Sequence, residues 1–185
     1  MDSRPAELRR EVAGVRVAAA KGTAFCIGVL VASYFLLPSL IDFPRDAIGA
    51  LIFTLRVDLF VLFWVLVGVG LVSHARRQSM QDIAGSAFGT PSETIRIKIA
   101  FLQNTLEQAV IAIGSHIVFS TLASGDALAL VVAATFLFGV GRVSFYRGYP
   151  RGAAARAFGV VTTVIPGLLA FLASLVLMSL RVVFG

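Results

Sequence analysis

The sequence predicts an all-α integral membrane protein with five spans, and two observations lead to that prediction. The chain of 185 residues is 58% hydrophobic and only 14% charged, whereas soluble domains are nearer half apolar and a quarter charged. Its apolar residues also cluster in five charge-free stretches: Gly22–Ile41, Leu59–Ser73, Gln108–Gly125, Ala127–Gly141 and Ala157–Leu180. These runs do not alternate as barrel strands do, so each is predicted to lie in a membrane helix of about 20 apolar residues.

The chain divides into three predicted parts. Residues 1–21 form a basic tail, which is either an amphipathic surface helix or a partly ordered segment, since its apolar residues recur at spacings of three and four. Residues 22–46 form a first span and a tight turn. A retained span is favoured over a signal peptide because the apolar run is long and no small-residue cleavage site precedes Asp42. Residues 47–185 form a four-helix membrane domain.

The four spans of this domain are separated by one long loop and two short connections. The loop Ala75–Ser92 carries Gly85, Gly89 and Pro91, and Ser92 is placed to be the N-cap of the following helix. The predicted spans are Ala47–His74, Glu93–Ala123, Ala127–Tyr146 and Ala153–Val183.

Basic residues alternate along the chain in a way that predicts its orientation. The tail, the segment Ala75–Lys98 and the segment Gly141–Gly159 are rich in Lys and Arg, whereas the two intervening turns contain only Arg45. By the positive-inside rule, the N-terminus and the basic loops are cytoplasmic, and the C-terminus lies on the opposite side. The orientation of the chain in the membrane thus explains the net charge of +6, and no nucleic-acid partner is predicted.

Three polar residues within the spans are functional candidates, because ionisable groups at membrane depth are costly and mark functional positions. Asn104 and Glu107 are three residues apart and therefore share one helix face. Arg142 lies at the cytoplasmic end of the fourth span. The structural alternatives are that Asn104 and Glu107 join helices, including by an ion pair with Arg142, and that Arg142 extends to the membrane surface.

Other polar residues in the spans are predicted to be structural. Arg56 and Asp58 are two residues apart, which prevents a good pair within one helix. A partner on another helix is expected instead, although no other polar group can be placed near them. His116 points roughly opposite to Glu107 and is predicted to be packed or hydrogen-bonded. Cys26 is the only cysteine and is predicted to be an apolar filler. No cluster has the spacing of a metal site, so no metal is predicted.

The segment Gly141–Gly159 combines four arginines with aromatic residues. Pro150 disfavours helix at the preceding Tyr149, so the tyrosine is expected at a turn over the end of the bundle. Arg156 then begins the fifth span. The order Asn104-x-x-Glu107, Arg142, Gly148-Tyr149 and Arg156 resembles the MAPEG superfamily, the membrane-associated proteins in eicosanoid and glutathione metabolism.

This resemblance covers Ala47 to about Val183 and leaves the first span as an addition to the usual plan. It implies a four-helix bundle that assembles as a homotrimer. It also implies that glutathione, as a cosubstrate, binds between neighbouring subunits on the cytoplasmic side, and that a lipophilic substrate enters from the membrane lipid.

Residue by residue, the resemblance implies a catalytic role for Arg156, which would stabilise the glutathione thiolate. Asn104, Glu107, Arg142 and Tyr149 would hold the tripeptide. Arg76 or Arg77, at the end of the second span, would reach it from the adjacent subunit.

Three positions depart from the family pattern: Ala100 replaces an arginine, and Phe145 and Gln108 replace tyrosines. Arg96 lies on the same face as Ala100, one turn nearer the cytoplasm, and is expected to supply part of the missing charge. The predicted function is therefore a glutathione-dependent transferase or peroxidase acting on a lipophilic electrophile.

Two other function classes stay open. The departures also fit a non-catalytic, lipid-binding or scaffold member of the family. A transporter or an unrelated helical bundle that uses Glu107 and Arg142 as an intramembrane pair is the third possibility, although no inverted repeat is visible.

Overall fold

A computed structural model describes residues 4–184, and this part of the chain is helical, with no strand. Residues 1–3 of the predicted tail and Gly185 lie outside the described residues. Within residues 4–184, five helical segments are long and apolar enough to cross a membrane. The predicted fold class, a membrane bundle with an additional N-terminal helix, is confirmed. Its helices are α1 Arg4–Leu36, α2 Ala47–Val57, α3 Leu59–Arg76, α4 Glu93–Leu122, α5 Leu128–Gly148 and α6 Ala153–Phe184.

The second span consists of two helices, α2 and α3, that meet at Asp58. The Asp58 backbone N–H donates to Thr54 O at 2.9 Å and ends α2, while its carbonyl accepts from Val61 N at 3.0 Å. Together, α2 and α3 form the one span predicted for this part of the chain. Asp58 is a poor helix former, and its buried carboxylate is hydrogen-bonded to His116 on α4. The interruption therefore lies at Asp58, whose side chain is hydrogen-bonded to another helix.

Residues 4–36 form one continuous helix, so the basic tail and the first span are not separate elements. At 1.5 Å per residue, α1 is about 50 Å long and exceeds a hydrocarbon core of about 30 Å. A Cβ added to Gly14 would meet Ala154, and one added to Gly22 would meet Val161. The later residue of α1 is next to the later residue of α6, so the two helices run parallel.

The middle of α1 is also tied to α6 by a polar contact. Pro166 lies inside α6, and a proline cannot donate to the carbonyl four residues earlier, which here is that of Thr162. Cys26 Sγ lies 3.9 Å from Thr162 O and donates to it. The cysteine is fully buried, which agrees with the apolar position predicted for it and adds a hydrogen bond.

Helices α5 and α6 are packed backbone to backbone along three glycines. A Cβ on Gly141 would lie 2.6 Å from Thr163 Cγ2. A Cβ on Gly148 would collide with the carbonyl of Ala155, and one on Gly159 with the backbone N of Phe145. Gly148, which the sequence motif singles out, is thus required for close approach, and the seam fixes the position of Arg142 relative to α6.

The two short turns at the end of the bundle opposite to Gly152 are hydrogen-bonded to each other. Gly125 N donates to Pro44 O at 2.8 Å, and Ser124 Oγ donates to Arg45 O at 2.8 Å. Gly125 has a φ of 62°, a left-handed conformation that favours glycine. The first span is thereby joined to the family-like domain at this end.

The long loop between α3 and α4 is organised by Asp82. Ser92 Oγ donates to Asp82 Oδ2 at 2.6 Å, and Ser92 N donates to Asp82 Oδ1 at 2.9 Å. These hydrogen bonds, with help from the charge of Arg76, lower the pKa of Asp82. Ser92 is the N-cap residue of α4 as predicted, but its hydroxyl bonds to Asp82 and does not cap the helix.

Candidate functional site

Arg142 on α5 is fully buried, with 0% of its surface exposed. Its Nη1 donates to Asn104 Oδ1 on α4 at 2.8 Å, and its Nη2 donates to Thr163 Oγ1 on α6. The Phe138 and Phe145 rings lie 5.4 and 5.1 Å from its Cζ. Among the described residues its hydrogen-bond partners are all neutral. Arg142 therefore joins three helices, and its Nη groups are directed inward.

Asn104 joins α4 to α5 through Arg142, which confirms the structural alternative for this residue, whereas the other two structural alternatives do not match the geometry. The Arg142 side chain does not extend to the membrane surface, since it is buried between helices. It also does not pair with Glu107, because its α4 partner is Asn104, one turn earlier. Of the two residues predicted to share a face, only Asn104 contacts the buried arginine.

Glu107 is exposed on the surface of α4. Within residues 4–184, the Glu107 carboxylate accepts one side-chain hydrogen bond. Its donor is Gln103 Nε2, which lies 3.2 Å from Glu107 Oε1. Glu107 is the fifteenth residue of the thirty in α4, so it lies near the middle of a span. A carboxylate in this position needs a cation or strong donors from outside the single chain.

Arg156 and Tyr149 are stacked at the basic end of the bundle. The Arg156 Cζ lies 4.7 Å from the Tyr149 ring centroid, and the Tyr149 ring meets the Phe145 ring edge to face at 5.4 Å. Because Phe145 also contacts Arg142, two rings connect the half-buried arginine to the fully buried one. Tyr149 begins a short 3₁₀ turn, Tyr149–Arg151, which confirms the turn predicted from Pro150.

The remaining predicted arginines are not gathered at this stack. Arg76 Nη2 donates to Ser86 Oγ in the long loop at 3.3 Å, and Arg77 is exposed beside it. Arg96 forms an ion pair with Glu93 at 3.0 Å on its own helix. In the single chain, therefore, none of the three contacts Asn104, Glu107, Arg142 or Tyr149, and their roles stay predictions.

A family model described as the MAPEG family matches residues 51–176, from within α2 to within α6. The chain belongs to the MAPEG family. The match covers more than half of the chain and leaves α1 outside, so the helix that packs parallel to α6 is an addition to the family domain. Neither a curated protein nor a solved structure shows significant similarity to the chain.

This MAPEG protein contains a second buried polar pair that our sequence reasoning missed. His116 Nδ1 on α4 lies 2.8 Å from Asp58 Oδ1, and the two residues are 1% and 2% exposed. The partner expected for Asp58 on another helix is His116, and the hydrogen-bonded role of His116 is confirmed. The expectation that no other polar group lies near Asp58 was wrong. The only sequence signal was one Asp and one His in different spans, since a pairing between helices leaves no local spacing.

The two polar pairs occupy opposite halves of this MAPEG protein. Arg142 lies near the end of α5 that precedes Tyr149. His116 lies near the other end of α4, six residues before its end at Leu122. Only the Arg142 half is continuous with the half-buried Arg156 and Tyr149, so it is the half that contains the candidate site.

Proposed function

We propose that the chain is a membrane-embedded, glutathione-dependent transferase or peroxidase that acts on a lipophilic electrophile. Membership of the MAPEG family, which includes transferases, peroxidases and non-catalytic members, supports this class of function. The single observation that carries the proposal is the exposure of Glu107 at the middle of α4, with Gln103 as its hydrogen-bonding neighbour.

Glu107 needs a positively charged partner that the single chain does not give it. A carboxylate at membrane depth costs several kcal/mol unless it is paired, and Gln103 contributes only a neutral donor. Glutathione carries one ammonium group, which matches this requirement. The proposed role of Glu107 is therefore to bind the amino group of glutathione.

Arg156 is the proposed stabiliser of the glutathione thiolate. An adjacent guanidinium lowers the pKa of a thiol because it favours the charged form, and the thiolate is the nucleophile. The Tyr149 ring, 4.7 Å from Arg156 Cζ, limits the freedom of the guanidinium while leaving its N–H groups free for a ligand. The nucleophile would attack an electrophile that arrives through the lipid.

A second subunit is expected to cover this surface. Leu106, Val110 and Ile111 flank Glu107 on α4 and are 50%, 66% and 49% exposed. In the proposed homotrimer these residues pack against a neighbour, and Arg76 or Arg77 of that neighbour reaches the glutathione. Lipid covers the faces that stay outside the trimer.

The test is to add glutathione to purified protein and to measure thiolate absorbance and affinity. We expect Arg156→Ala to abolish the thiolate signal and Glu107→Gln to weaken glutathione binding about tenfold, the effect of losing one charged hydrogen bond. Arg147→Ala is the matched control, because Arg147 is an exposed arginine on the same end of the bundle. An unchanged thiolate signal in Arg156→Ala would contradict the proposed role.

The alternative function is a non-catalytic MAPEG member that binds lipid or a partner protein. The geometry of Arg142 favours it, since this predicted ligand of glutathione is turned inward and its Nη groups already donate to Asn104 and Thr163. Phe145 packs against the same guanidinium and adds no hydroxyl. If glutathione gives no thermal protection while the purified protein retains lipid, this alternative is the correct one.

A further inference from the structure

A groove of about 800 Å³ lies between α3 and α5 on the outer surface of the bundle. Its walls are mainly apolar and include Phe60 and Phe136, which are 69% and 59% exposed. The Trp64 ring lies against α5 at Gly139, where an added Cβ would be only 3.1 Å from Trp64 Nε1. None of the described residues that line the groove belongs to the proposed glutathione site, and an inference about the groove goes beyond the proposed function.

Two arginines line the groove at the basic end of the bundle. The side chains of Arg147 and Arg151 are both exposed, and Arg151 Nη2 donates to the backbone carbonyl of Arg147 at 3.2 Å. Within residues 4–184, neither arginine forms an ion pair, and no acidic residue lines the groove. Like charges four residues apart repel each other, so a bound anion would stabilise this end of the groove.

A second, smaller depression adjoins the groove at Arg147. It has a volume of about 260 Å³ and lies between α4 and α5, with Lys98 and Tyr146 in its wall. Because Arg147 lines both the groove and the depression, Lys98 adds a third positive charge at this point of the surface. In the part of the chain that the structure describes, no acidic residue lines the depression either.

The length of the groove suits one acyl chain of a membrane lipid. Val132 and Arg147 are the first and last residues of α5 that line it, and they are separated by about 22 Å at 1.5 Å per residue. One leaflet contributes about half of a hydrocarbon core of roughly 30 Å. The groove is therefore long enough to follow a lipid chain through the depth of one leaflet.

We propose that the groove between α3 and α5 binds an anionic phospholipid, with one acyl chain along its apolar walls and the phosphate at Arg147, Arg151 and Lys98. Arginine suits this headgroup because its N–H groups can donate two parallel hydrogen bonds to a phosphate. In the predicted orientation this end of the bundle is cytoplasmic, and the cytoplasmic leaflet contains anionic lipids. A neighbouring copy of the chain would bring its own basic end to the same level and add positive charge, so lipid is the better occupant.

The single tryptophan makes the acyl chain observable, because Trp64 lines the groove and bromine on a lipid chain quenches an indole that it contacts. The full chain is placed in phosphatidylcholine vesicles that contain a small fraction of either dibrominated phosphatidylglycerol or dibrominated phosphatidylcholine. The two probes have the same chains and differ in headgroup charge. We expect the anionic probe to quench Trp64 with about fivefold higher apparent affinity, the contribution of one basic residue near the membrane surface. Equal affinity of the two probes, or no quenching by either because a second copy covers the groove, would overturn the proposal.

Removal of the two arginines tests the headgroup site. Arg147→Ala combined with Arg151→Ala should remove most of the preference for the anionic probe. Arg9→Ala combined with Arg10→Ala is the matched control, because these exposed arginines of α1 line neither the groove nor the depression and their removal changes the net charge equally. An unchanged preference in the first double variant, or an equal loss in the control, would contradict the site.

The same double variant separates this proposal from the glutathione proposal. Neither Arg147 nor Arg151 belongs to the proposed glutathione site, so the thiolate signal should be unchanged, and without added phospholipid the variant should melt as wild type does. If it unfolds early instead, Val143→Phe decides, because this exposed residue lines the groove between Trp64 and the arginines and a larger ring there obstructs the acyl chain. We expect Val143→Phe to weaken quenching by the anionic probe, and quenching equal to that of wild type would overturn the proposal.

Discussion

At the scale of single residues, Arg142 is the point where the polar contacts of three helices meet. Its position near the basic end of a span was readable from the sequence. Its complete burial was not, because its partners Asn104 and Thr163 are 38 and 21 residues away and on other helices. A motif shows which residue types recur together, but not whether a guanidinium is turned toward a ligand or toward its own helices.

We expect Arg142→Ala to reduce the free energy of unfolding by about 2–4 kcal/mol, since it leaves Asn104 unpaired and removes a large buried side chain. The single tryptophan, Trp64, contacts α5 at Gly139 and can report unfolding by its fluorescence. The exposed Arg147 on the same helix supplies the control, Arg147→Ala, which should unfold as wild type does. A melting temperature of Arg142→Ala equal to that of the control would show that the buried contacts contribute little.

The same limit applies to Asp58 and His116, which are 58 residues apart. Each residue could be placed within a span, but which helices become neighbours depends on packing that no local spacing encodes. Tyr149 is the opposite case. Its turn follows from the next residue, Pro150, through a steric rule that acts over one residue, and the structure confirms it.

At the scale of elements, apolar length predicted the number of spans, whereas contacts between helices determined their detailed form. The five spans follow from runs without charge. The interruption at Asp58 and the fusion of the tail with the first span depend instead on α4 and α6, the helices against which they pack. The three glycines of α5 and α6 were visible as small residues, but their backbone contacts required the structure.

The loop between α3 and α4 supplies a prediction for pH. The pKa of Asp82 is lowered from 3.8 because Ser92 donates two hydrogen bonds to its carboxylate. A depressed folded pKa means that the unfolded chain binds the proton more readily. Asp82 therefore contributes stability above pH 3.8, and that contribution is lost as the pH falls through its folded pKa.

We accordingly expect Asp82→Asn to melt at a lower temperature than wild type at pH 6, because the amide cannot replace the ionised acceptor. The difference should shrink as the pH is lowered toward and below 3.8, the value from which the pKa is depressed. Melting temperatures of both proteins across this range provide the measurement. A difference that stays constant from pH 6 to pH 3 would show that the ionisation of Asp82 has no part in it.

At the scale of the whole molecule, the parallel arrangement of α1 and α6 fits the predicted orientation. Both helices begin at the end of the bundle where the loop at Gly152 lies: the carboxylate of Glu11 on α1 accepts from Ala154 N at the start of α6. The basic segments of the sequence cluster at this end. The positive-inside rule therefore gives one consistent prediction, in which this end is cytoplasmic.

Accessibility of single cysteines tests that orientation. In a Cys26→Ala background, Ser86→Cys places a thiol in the long loop and Asp126→Cys places one in the opposite turn, and both positions are exposed. A membrane-impermeant maleimide added to intact cells should label position 126 only, and permeabilisation should add position 86. The reverse pattern would invert the assignment of every loop.

The pairing of α1 with α6 has a consequence for biogenesis. The residues that connect them are far apart in the chain, with separations of 143 between Ala154 and Glu11 and 136 between Cys26 and Thr162. The ribosome finishes the first helix early and its partner last, and at roughly 5–20 residues per second the interval is about 7–30 s. During that time the first helix waits in the bilayer with its glycine-containing face toward lipid. Docking of α6 therefore completes the packing of the first helix, and a chain that stops short of α6 lacks the helix against which α1 packs most extensively.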